Sequence, residues 1–534
     1  MRGDFLFHCH VEMHMMAGLA GLVRSRQTLW LTPEQAKRLS HETGLPLDHG
    51  DNDCPVIDPK HCESLDCGKW EEVAGSPSVT FMHACLLPKT DKVLYWGYGD
   101  TRDDISRIWD YSTPGGAFSL PANQPFDVTS PVHDRGLANL WSAEHAFLDT
   151  PEGTLLIHGG FTPRESYLFD PPTTSWSRVA PTAEQRFYST SLTLANGKVL
   201  TILGGTPTSI VARSIEVYEP GTATWDPPIA LPATFDYLYY PWAYVMPNGE
   251  LFIAGPRGIT RRFDPLAPVD DPAKTWPTIA GNRSTSGEKG TSVLLPLLPP
   301  DYKPRVVIAG GDPASAQQTS EMIDLSDTVP AWKALPNLNQ PRMHQVNSVL
   351  MPDSRVFLAG GIPNAGGPAE ILDTKNLAAG WVACAAMKYS RGYHSTAILL
   401  ADGSILMGGD QDITGGWKSG ENTPHERYFP WYYFRSRPVN TGSPASVNHG
   451  ATFTVNTPSA TSIAEVVLIR PGAVTHGFNQ SQRLVGCEIT GRGATSLQVK
   501  APPDGNIAAP GYYLLFLVDT ARVPSVAAWI RVTP

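Results

Sequence analysis

An apolar segment that ends in glycine recurs seven times along the chain, and this repeat constrains the fold more than any other feature. The glycines that close these segments are Gly97, Gly159-Gly160, Gly204-Gly205, Gly255, Gly310-Gly311, Gly360-Gly361 and Gly408-Gly409. Successive endings are 45 to 62 residues apart. A tryptophan follows most of them, at Trp109, Trp176, Trp225, Trp276, Trp332 and Trp381. Such a repeat predicts similar β-sheets that each bury their faces against the next one.

This pattern resembles the kelch repeat, in which one repeat forms one blade of a β-propeller. The glycines allow strands to crowd toward a central axis, and each tryptophan packs between neighbouring sheets. We therefore predict a seven-bladed kelch β-propeller over residues 69–434.

Composition agrees with an all-β protein and excludes several functions. The 534 residues suffice for two or three domains, and 48 glycines and 49 prolines with only 17% charged residues favour short strands and tight turns. A net charge of −10 provides no basic surface for nucleic acid, so no nucleic-acid partner is expected. No apolar run reaches the roughly 20 residues of a membrane span.

The last hundred residues follow a different pattern. From about residue 435 the chain alternates apolar and polar residues in short runs, as in Ala451–Val455 and Leu497–Lys500. This alternation predicts an immunoglobulin-like β-sandwich over residues 435–534. One of its loops, Arg470–Phe478, carries His476.

The first 28 residues contain a separate metal-binding motif. Its candidate ligands are His8, Cys9, His10 and His14. A thiolate with imidazoles suits copper, and the motif resembles the last copper motif of multicopper oxidases. A trinuclear copper cluster needs several His-x-His pairs, whereas His8 and His10 form the only such pair. We interpret residues 1–28 as the C-terminal remnant of a cupredoxin domain, not active as an oxidase alone.

Residues 29–68 read as a polar linker. Cys54, Cys62 and Cys67 cluster here, and one or two disulfides among them and Cys85 are plausible. From the residues before the first motif we expect no signal peptide.

A second register marks one end of the predicted propeller. Polar aromatic residues stand nine or ten positions before the turn in four of the blades, at Tyr188, Tyr240, His344 and Tyr393. Equivalent positions in different blades converge at one mouth of the central channel, where ligand sites favour concave surfaces. The alternative for Tyr240 and His344 is a structural role with satisfied polar atoms.

The most informative single stretch is Arg391-Gly-Tyr-His-Ser395, just before an apolar β-hairpin. A phenol and an imidazole in sequence offer two metal ligands. Adjacent residues of a regular strand face opposite ways, so Tyr393 and His394 reach one metal only if the strand begins irregularly.

Residues 69–534 resemble the galactose oxidase and glyoxal oxidase family of copper radical oxidases. The resemblance rests on Arg391-Gly-Tyr-His-Ser395, on Leu468-Ile-Arg-Pro-Gly-Ala-Val-Thr-His476 and on Pro510-Gly-Tyr-Tyr-Leu-Leu-Phe516. It implies one mononuclear copper held by Tyr188, Tyr393, His394 and His476. It also implies that Tyr188 carries a radical and that Tyr393 acts as the base.

Two positions depart from the family pattern. Ser142, in Trp141-Ser-Ala-Glu-His145, stands where the family has the cysteine that crosslinks to the radical tyrosine. A serine cannot form this thioether, so no Tyr-Cys crosslink is expected. Thr206 and Pro207 stand where galactose oxidase has a stacking tryptophan, which is closer to glyoxal oxidase.

We therefore predict a copper-dependent oxidase that acts on a primary alcohol, aldehyde or carbohydrate with O2 and forms H2O2. The alternatives are a copper- or carbohydrate-binding propeller with little turnover, because Ser142 removes the crosslink, and a fragment of a multicopper oxidase fusion. The resemblance implies an extracellular or periplasmic location.

Overall fold

The computed structural model describes part of the chain from Cys67 to Pro534. The described ranges are 67–76, 79–98, 104–113, 116–124, 139–206, 212–235, 239–256, 258–265, 289–311, 316–362, 366–409 and 424–534, together with the single residue 237. The motif of His8, Cys9, His10 and His14 and the linker predicted for residues 29–68 fall almost wholly outside these ranges, so both remain predictions.

Within the described residues, seven antiparallel sheets form the blades of a β-propeller. The first described strand is β1 (Lys69–Glu72). Blade 1 follows and contains β2 (His83–Leu86), β3 (Lys92–Tyr98), β4 (Asp104–Asp110) and β5 (Ala117–Ser119). Blade 2 contains β6 (Ala143–Phe147), β7 (Leu155–Gly159), β8 (Ser166–Asp170) and β9 (Ser175–Val179). Blade 3 contains β10 (Thr190–Thr193), β11 (Val199–Ile202), β12 (Ser214–Glu219), β13 (Thr224–Trp225) and β14 (Ile229–Ala230).

The remaining blades follow the same order. Blade 4 contains β15 (Ala243–Val245), β16 (Leu251–Ile253) and β17 (Arg261–Phe263). Blade 5 contains β18 (Thr291–Leu294), β19 (Arg305–Ala309), β20 (Ser320–Asp324) and β21 (Trp332–Leu335). Blade 6 contains β22 (Asn347–Leu350), β23 (Arg355–Ala359), β24 (Pro368–Asp373) and β25 (Trp381–Ala386), with a 3-10 turn at Leu377–Ala379. Blade 7 contains β26 (Ser395–Leu399), β27 (Ile405–Gly409) and β28 (Glu426–Phe429).

The ring is closed by β1, the first strand of the described residues. β1 pairs with β28 antiparallel, with Lys69 opposite Phe429, and becomes the outer strand of blade 7. Pairing the two ends of the propeller in one sheet removes the open edges that separate terminal blades would expose.

The repeated tryptophans join neighbouring blades as predicted. The indole N–H of Trp225 in blade 3 donates to the Ser166 hydroxyl of blade 2 at 3.2 Å. The indole N–H of Trp381 in blade 6 donates to the Ser320 hydroxyl of blade 5 at 3.1 Å. Each aromatic ring thus fills the space between two sheets and satisfies its polar atom across the boundary.

The C-terminal region is a β-sandwich with its own core. Its strands are β29 (Ser446–Asn448), β30 (Thr452–Asn456), β31 (Ile463–Ile469), β34 (Leu484–Arg492), β35 (Ser496–Lys500), β36 (Gly511–Asp519) and β37 (Ala528–Thr533). A 3-10 turn at Trp431–Phe434 leads into it. Alternate residues of β30 and β35 are buried, which is the period that the sequence predicted.

One hairpin of this C-terminal region enters the propeller. It consists of β32 (Ala473–Thr475) and β33 (Phe478–Asn479), and β32 pairs with β2, the innermost strand of blade 1. The two short strands also lie against inner strands β6, β18, β22 and β26. The hairpin therefore fills the central axis and brings His476 to the inner ends of the blades.

The predicted all-β fold, with a seven-bladed propeller followed by a β-sandwich, is confirmed.

Among the cysteines, Cys67 is disulfide-bonded, whereas Cys85 is a buried free thiol in β2 and takes no part in a disulfide. No helix in the described ranges has the length and apolarity of a membrane span.

Candidate metal centre

Four side chains that the sequence singled out meet at the mouth of the propeller axis. The hydroxyls of Tyr188 and Tyr393 are 2.6 Å apart. The ring centroid of His476 lies 5.2 Å from that of Tyr188, 5.7 Å from that of Tyr393 and 5.0 Å from that of His394. The structure thus gathers two phenols and two imidazoles from blade 3, blade 7 and the C-terminal hairpin.

His476 occupies the tip of its hairpin because the turn has only two residues. Thr475 pairs with Phe478, and the residues between them, His476 and Gly477, have φ values of 51° and 78°. Positive φ at both central positions is typical of a type I′ turn, whose twist suits a two-residue hairpin. The turn therefore projects the imidazole from the end of β32 toward the blades.

Tyr393 and His394 share one site because the backbone is irregular where blade 7 begins. His394 has a φ of 65° and immediately precedes β26. The two rings lie side by side with centroids 3.8 Å apart. The His394 N–H donates to the Gln345 side-chain oxygen at 2.7 Å, which holds this left-handed residue in place. The strand therefore begins irregularly, which is the condition for Tyr393 and His394 to share one site.

Hydrogen bonds between blades link the segments of blades 1 to 4 at the mouth. The backbone N–H of Tyr188 donates to the Ser142 carbonyl at 3.3 Å, and that of Tyr240 donates to the Tyr188 carbonyl at 2.9 Å. The backbone N–H of Ser142 donates to the His83 imidazole Nε2 at 3.1 Å. Because each link joins one blade to the next, the ring of blades itself fixes the backbone of the site.

Buried ion pairs anchor three of the segments that lead to the mouth. Tyr188, His344 and Tyr393 each follow an arginine by two positions, in a repeated Arg-x-Tyr or Arg-x-His sequence. Each of these arginines pairs with a glutamate in the third strand of its own blade. These pairs are Arg186–Glu216, Arg342–Glu370 and Arg391–Glu426, all with side chains at most 2% exposed.

The Arg186 guanidinium also donates to the Leu203 carbonyl at 2.6 Å. The Glu216 carboxylate accepts from the Ala183 N–H at 2.7 Å. Both partners of the pair are therefore saturated, which is how buried charges are tolerated. The pair holds the backbone on either side of Arg186, two residues before Tyr188.

Burial keeps both imidazoles neutral. It lowers the pKa of His394 to about 3, with a smaller contribution from the cationic Lys289. Burial, then His394 and Lys289, hold the pKa of His476 well below its usual range. Burial raises the pKa of Tyr188, and hydrogen bonds with Ser142 and Tyr393 partly offset this rise. Neutral imidazoles retain the lone pair that a metal ligand needs.

The donor set fits a copper ion. His476 Nε2 is buried and has no hydrogen-bond partner among the described residues, while its Nδ1 lies 2.6 Å from the Thr475 hydroxyl. Imidazole nitrogens suit copper, and a bound cation lowers the pKa of a ligand such as a phenol.

Ser142 lies against Tyr188, as the sequence comparison with the family implied. The Ser142 side chain lies near the Tyr188 hydroxyl and lowers the pKa of that phenol. Ser142 is buried with a φ of 59°. A hydroxyl therefore stands in direct contact with the phenol where the family has a thiol.

Several neighbours of the cluster were not predicted. Gln345 holds His394, Thr475 contacts the His476 ring, and the Lys289 ammonium lies 5.1 Å from the Tyr393 ring centroid. Gln345 follows the predicted mouth residue His344, and Thr475 directly precedes His476, so adjacency was the signal in both cases. No sequence signal pointed to Lys289, because it lies outside the register of polar aromatic residues.

Tyr240 is buried at the edge of the cluster, with its ring centroid 5.0 Å from that of His476. His344, which the sequence placed in the same register, is also buried, as is the neighbouring Trp242.

Comparisons with known proteins relate the chain to galactose oxidase-like proteins. Residues 437–532 match the family described as "Galactose oxidase-like, Early set domain". The chain is 29% identical to galactose oxidase of Gibberella zeae over 503 residues, which cover 87% of this chain and 71% of that protein. It is 27% identical to aldehyde oxidase GLOX of Vitis pseudoreticulata over 544 residues, covering 88% and 97%.

A solved structure with the same fold is a fungal alcohol oxidase of the AA5 family in complex with copper. It is 22% identical, has a TM-score of 0.73, and the match covers 88% of this chain and 100% of that chain. The relatives named here are oxidases, and the chain is similar to galactose oxidase-like proteins in sequence and fold.

Proposed function

We propose that this protein is a copper-dependent oxidase that converts a primary alcohol or an aldehyde to its oxidised product and reduces O2 to H2O2. The observation that carries the proposal is the contact of Tyr188, Tyr393, His394 and His476 at one mouth of the propeller. The similarity to galactose, aldehyde and alcohol oxidases supports the reaction class.

Tyr188, Tyr393, His394 and His476 would hold the copper. When bound, copper would accept one electron and withdraw charge from the phenols and the substrate oxygen. Oxidation of an alcohol removes two electrons, so a second acceptor is required. Tyr188, with its hydroxyl against Tyr393 and Ser142, is the residue we assign to the second electron.

Tyr393 would accept the substrate hydroxyl proton at its phenolic oxygen. A free phenol has a pKa near 10, and a nearby cation makes the phenolate accessible at neutral pH. Tyr188 and Tyr393 are both partly exposed, whereas His394 and His476 are buried. The phenol side is therefore the side from which a substrate reaches the cluster.

The atoms and electrons balance without a further cofactor. An alcohol loses two electrons and two protons to become an aldehyde. An aldehyde first adds water, and the resulting hydrate loses two electrons and two protons to become a carboxylic acid. In both cases O2 takes up two electrons and two protons to become H2O2. Partly exposed aromatic side chains, Phe161 and Tyr239, stand near this side of the cluster, where they exclude water from a bound substrate.

The direct test loads purified protein with Cu(II) and measures bound metal and peroxide with glyoxal-type aldehydes, galactose and simple primary alcohols. We expect one copper per chain and oxygen-dependent peroxide from at least one substrate class. His476→Gln should lose the copper. The matched control is His449→Gln, because the His449 ring bonds to the Ala508 carbonyl within the sandwich. Retention of copper by His476→Gln would refute the assignment.

A second candidate is a copper-binding propeller with little turnover. The contact of Ser142 with Tyr188 favours it, because a serine cannot provide the thioether that the family resemblance associates with a stable radical. One bound copper without peroxide from any substrate would select this candidate. A protein that binds no copper and forms no peroxide would exclude both candidates.

A further inference from the structure

The two nitrogens of His476 have different surroundings. Nδ1 lies 2.6 Å from the Thr475 hydroxyl oxygen, whereas Nε2 has no hydrogen-bond partner among the described residues. Thr475 is fully buried, and His476 is only 6% exposed. The hydrogen bond at Nδ1 therefore decides which nitrogen carries the proton.

The contacts beyond Thr475 give this hydrogen bond a direction. The Tyr240 hydroxyl lies 3.4 Å from the Thr475 hydroxyl and 3.4 Å from the carbonyl of Ala143. A carbonyl oxygen only accepts, so Tyr240 donates to Ala143 and its own oxygen accepts from Thr475. The Thr475 proton then points toward Tyr240, and the Thr475 oxygen accepts from His476 Nδ1–H.

The opposite direction is unfavourable. If Thr475 donated to Nδ1, the proton of the neutral ring would sit on Nε2, where no described residue accepts it. A buried N–H without an acceptor loses its hydration and gains nothing in return. In the first arrangement each donor finds an acceptor, and Nε2 keeps its lone pair.

The backbone holds both hydroxyls in place. Thr475 pairs with His83 of β2, so the sheet fixes its position in the propeller axis. The Tyr240 N–H donates to the Tyr188 carbonyl, which ties Tyr240 to the blade that carries Tyr188. The series of hydrogen bonds from Ala143 to His476 thus runs from blade 2 through blade 4 to the C-terminal hairpin.

We propose that Thr475 and Tyr240 are positioning residues that hold His476 in the Nδ1–H tautomer, with the Nε2 lone pair directed at the cluster of Tyr188, Tyr393 and His394. The tautomer is a property of the metal-free protein. Only the purpose of the lone pair, to bind copper, rests on the proposed function. Hydrogen bonds of this kind to metal-binding histidines typically change metal affinity by about 10- to 100-fold.

The experiment compares the metal-free protein with Thr475→Val, which preserves the side-chain shape and removes the hydroxyl. In protein labelled with 15N in histidine, the His476 signals are assigned from their loss in His476→Gln. We expect wild type to carry its proton on Nδ1 and Thr475→Val to shift the proton toward Nε2. Cu(II) affinity should fall by about 10- to 100-fold in Thr475→Val, and less in Tyr240→Phe.

The matched control is Thr374→Val. The Thr374 hydroxyl is buried and donates to the Ser354 carbonyl at 2.6 Å, away from the cluster. It should lower stability but leave the His476 tautomer and Cu(II) affinity unchanged. A wild-type proton on Nε2, or an unchanged tautomer in Thr475→Val, would overturn the proposal.

Failure of the two proposals can be told apart. The expected tautomer in a protein that binds no copper would leave the inference about Thr475 intact and remove the proposed function. Copper binding with peroxide formation in a protein whose His476 carries its proton on Nε2 would do the reverse.

Discussion

The hydroxyls of Tyr188 and Tyr393 lie 2.6 Å apart although 205 residues separate them in the sequence. They come from blade 3 and blade 7, which are not neighbours in the ring. Only convergence of the inner ends of the blades brings them together, and His476 and His394 complete the cluster.

Removal of the Tyr393 hydroxyl should abolish most of the turnover. Tyr393→Phe deletes a proposed copper ligand and the proposed proton acceptor, so we expect the peroxide-forming rate to fall by about 10²- to 10⁴-fold. The comparison is Tyr244→Phe, which removes a buried hydroxyl that bonds to Ser292 at 2.8 Å. If both variants lose the same activity, the effect is structural and the role of Tyr393 is refuted.

Ser142→Cys should introduce the missing crosslink. The serine hydroxyl already contacts the Tyr188 phenol, so a thiol at this position lies next to the ring. After copper loading in air, we expect a thioether, seen as the loss of two hydrogens in intact mass, with O2 as the oxidant. Peroxide production should rise in this variant and not in Ser142→Ala. A mass unchanged after prolonged loading would contradict the prediction.

Gly477→Ala should disrupt the turn that carries His476. Gly477 has a φ of 78°, and an added Cβ would lie 2.7 Å from the Val346 carbonyl oxygen. The left-handed conformation alone costs about 1–3 kcal/mol for a residue with a side chain.

Gly75→Ala separates conformation from contact, because Gly75 has a φ of 68° and nothing within 4 Å of an added Cβ. Chemical denaturation should show the larger loss for Gly477→Ala, together with weaker Cu(II) binding. Equal losses of stability in the two variants would show that the contact with Val346 is harmless.

The buried pair of Arg186 and Glu216 should be much more sensitive than an exposed one. Arg186→Met leaves a buried carboxylate without its counter-charge, which costs about 3–5 kcal/mol. Arg178→Met breaks the pair of Arg178 with Glu165. The Arg178 side chain is 63% exposed, so we expect a cost below about 1 kcal/mol. Urea unfolding measures both. The double variant Arg186→Met/Glu216→Gln should recover part of the loss.

Acid should weaken the contact between Asp373 and Arg522. Burial alone would raise the pKa of Asp373, but hydrogen bonds from Arg522 and the Lys375 N–H outweigh it and lower the pKa. A carboxylate with a lowered folded-state pKa stabilises the fold above its unfolded pKa, near 3.9, and loses this contribution as the pH falls. The stability difference between wild type and Asp373→Asn should therefore shrink as the pH falls below about 5, through the unfolded pKa toward the lower folded-state pKa. A constant difference would contradict this.

Much of this protein is determined by local sequence. The recurrent glycine endings and tryptophans predicted seven blades, because strand length, turn chemistry and packing between sheets repeat with each blade. The Arg-x-Tyr and Arg-x-His sequences placed Tyr188, His344 and Tyr393 in one register, since each arginine pairs within its own blade. The alternation after residue 435 predicted the sandwich for the same local reason.

Tertiary structure decided what the residues at the mouth contact. The sequence does not encode locally that β1 closes blade 7, that β32 pairs with β2, or that Thr475 and Tyr240 surround His476. These contacts join segments hundreds of residues apart and exist only once the ring has closed around the C-terminal hairpin. The left-handed conformations of Tyr188 and His394 have the same origin, because hydrogen bonds to neighbouring blades stabilise backbone that the local sequence disfavours.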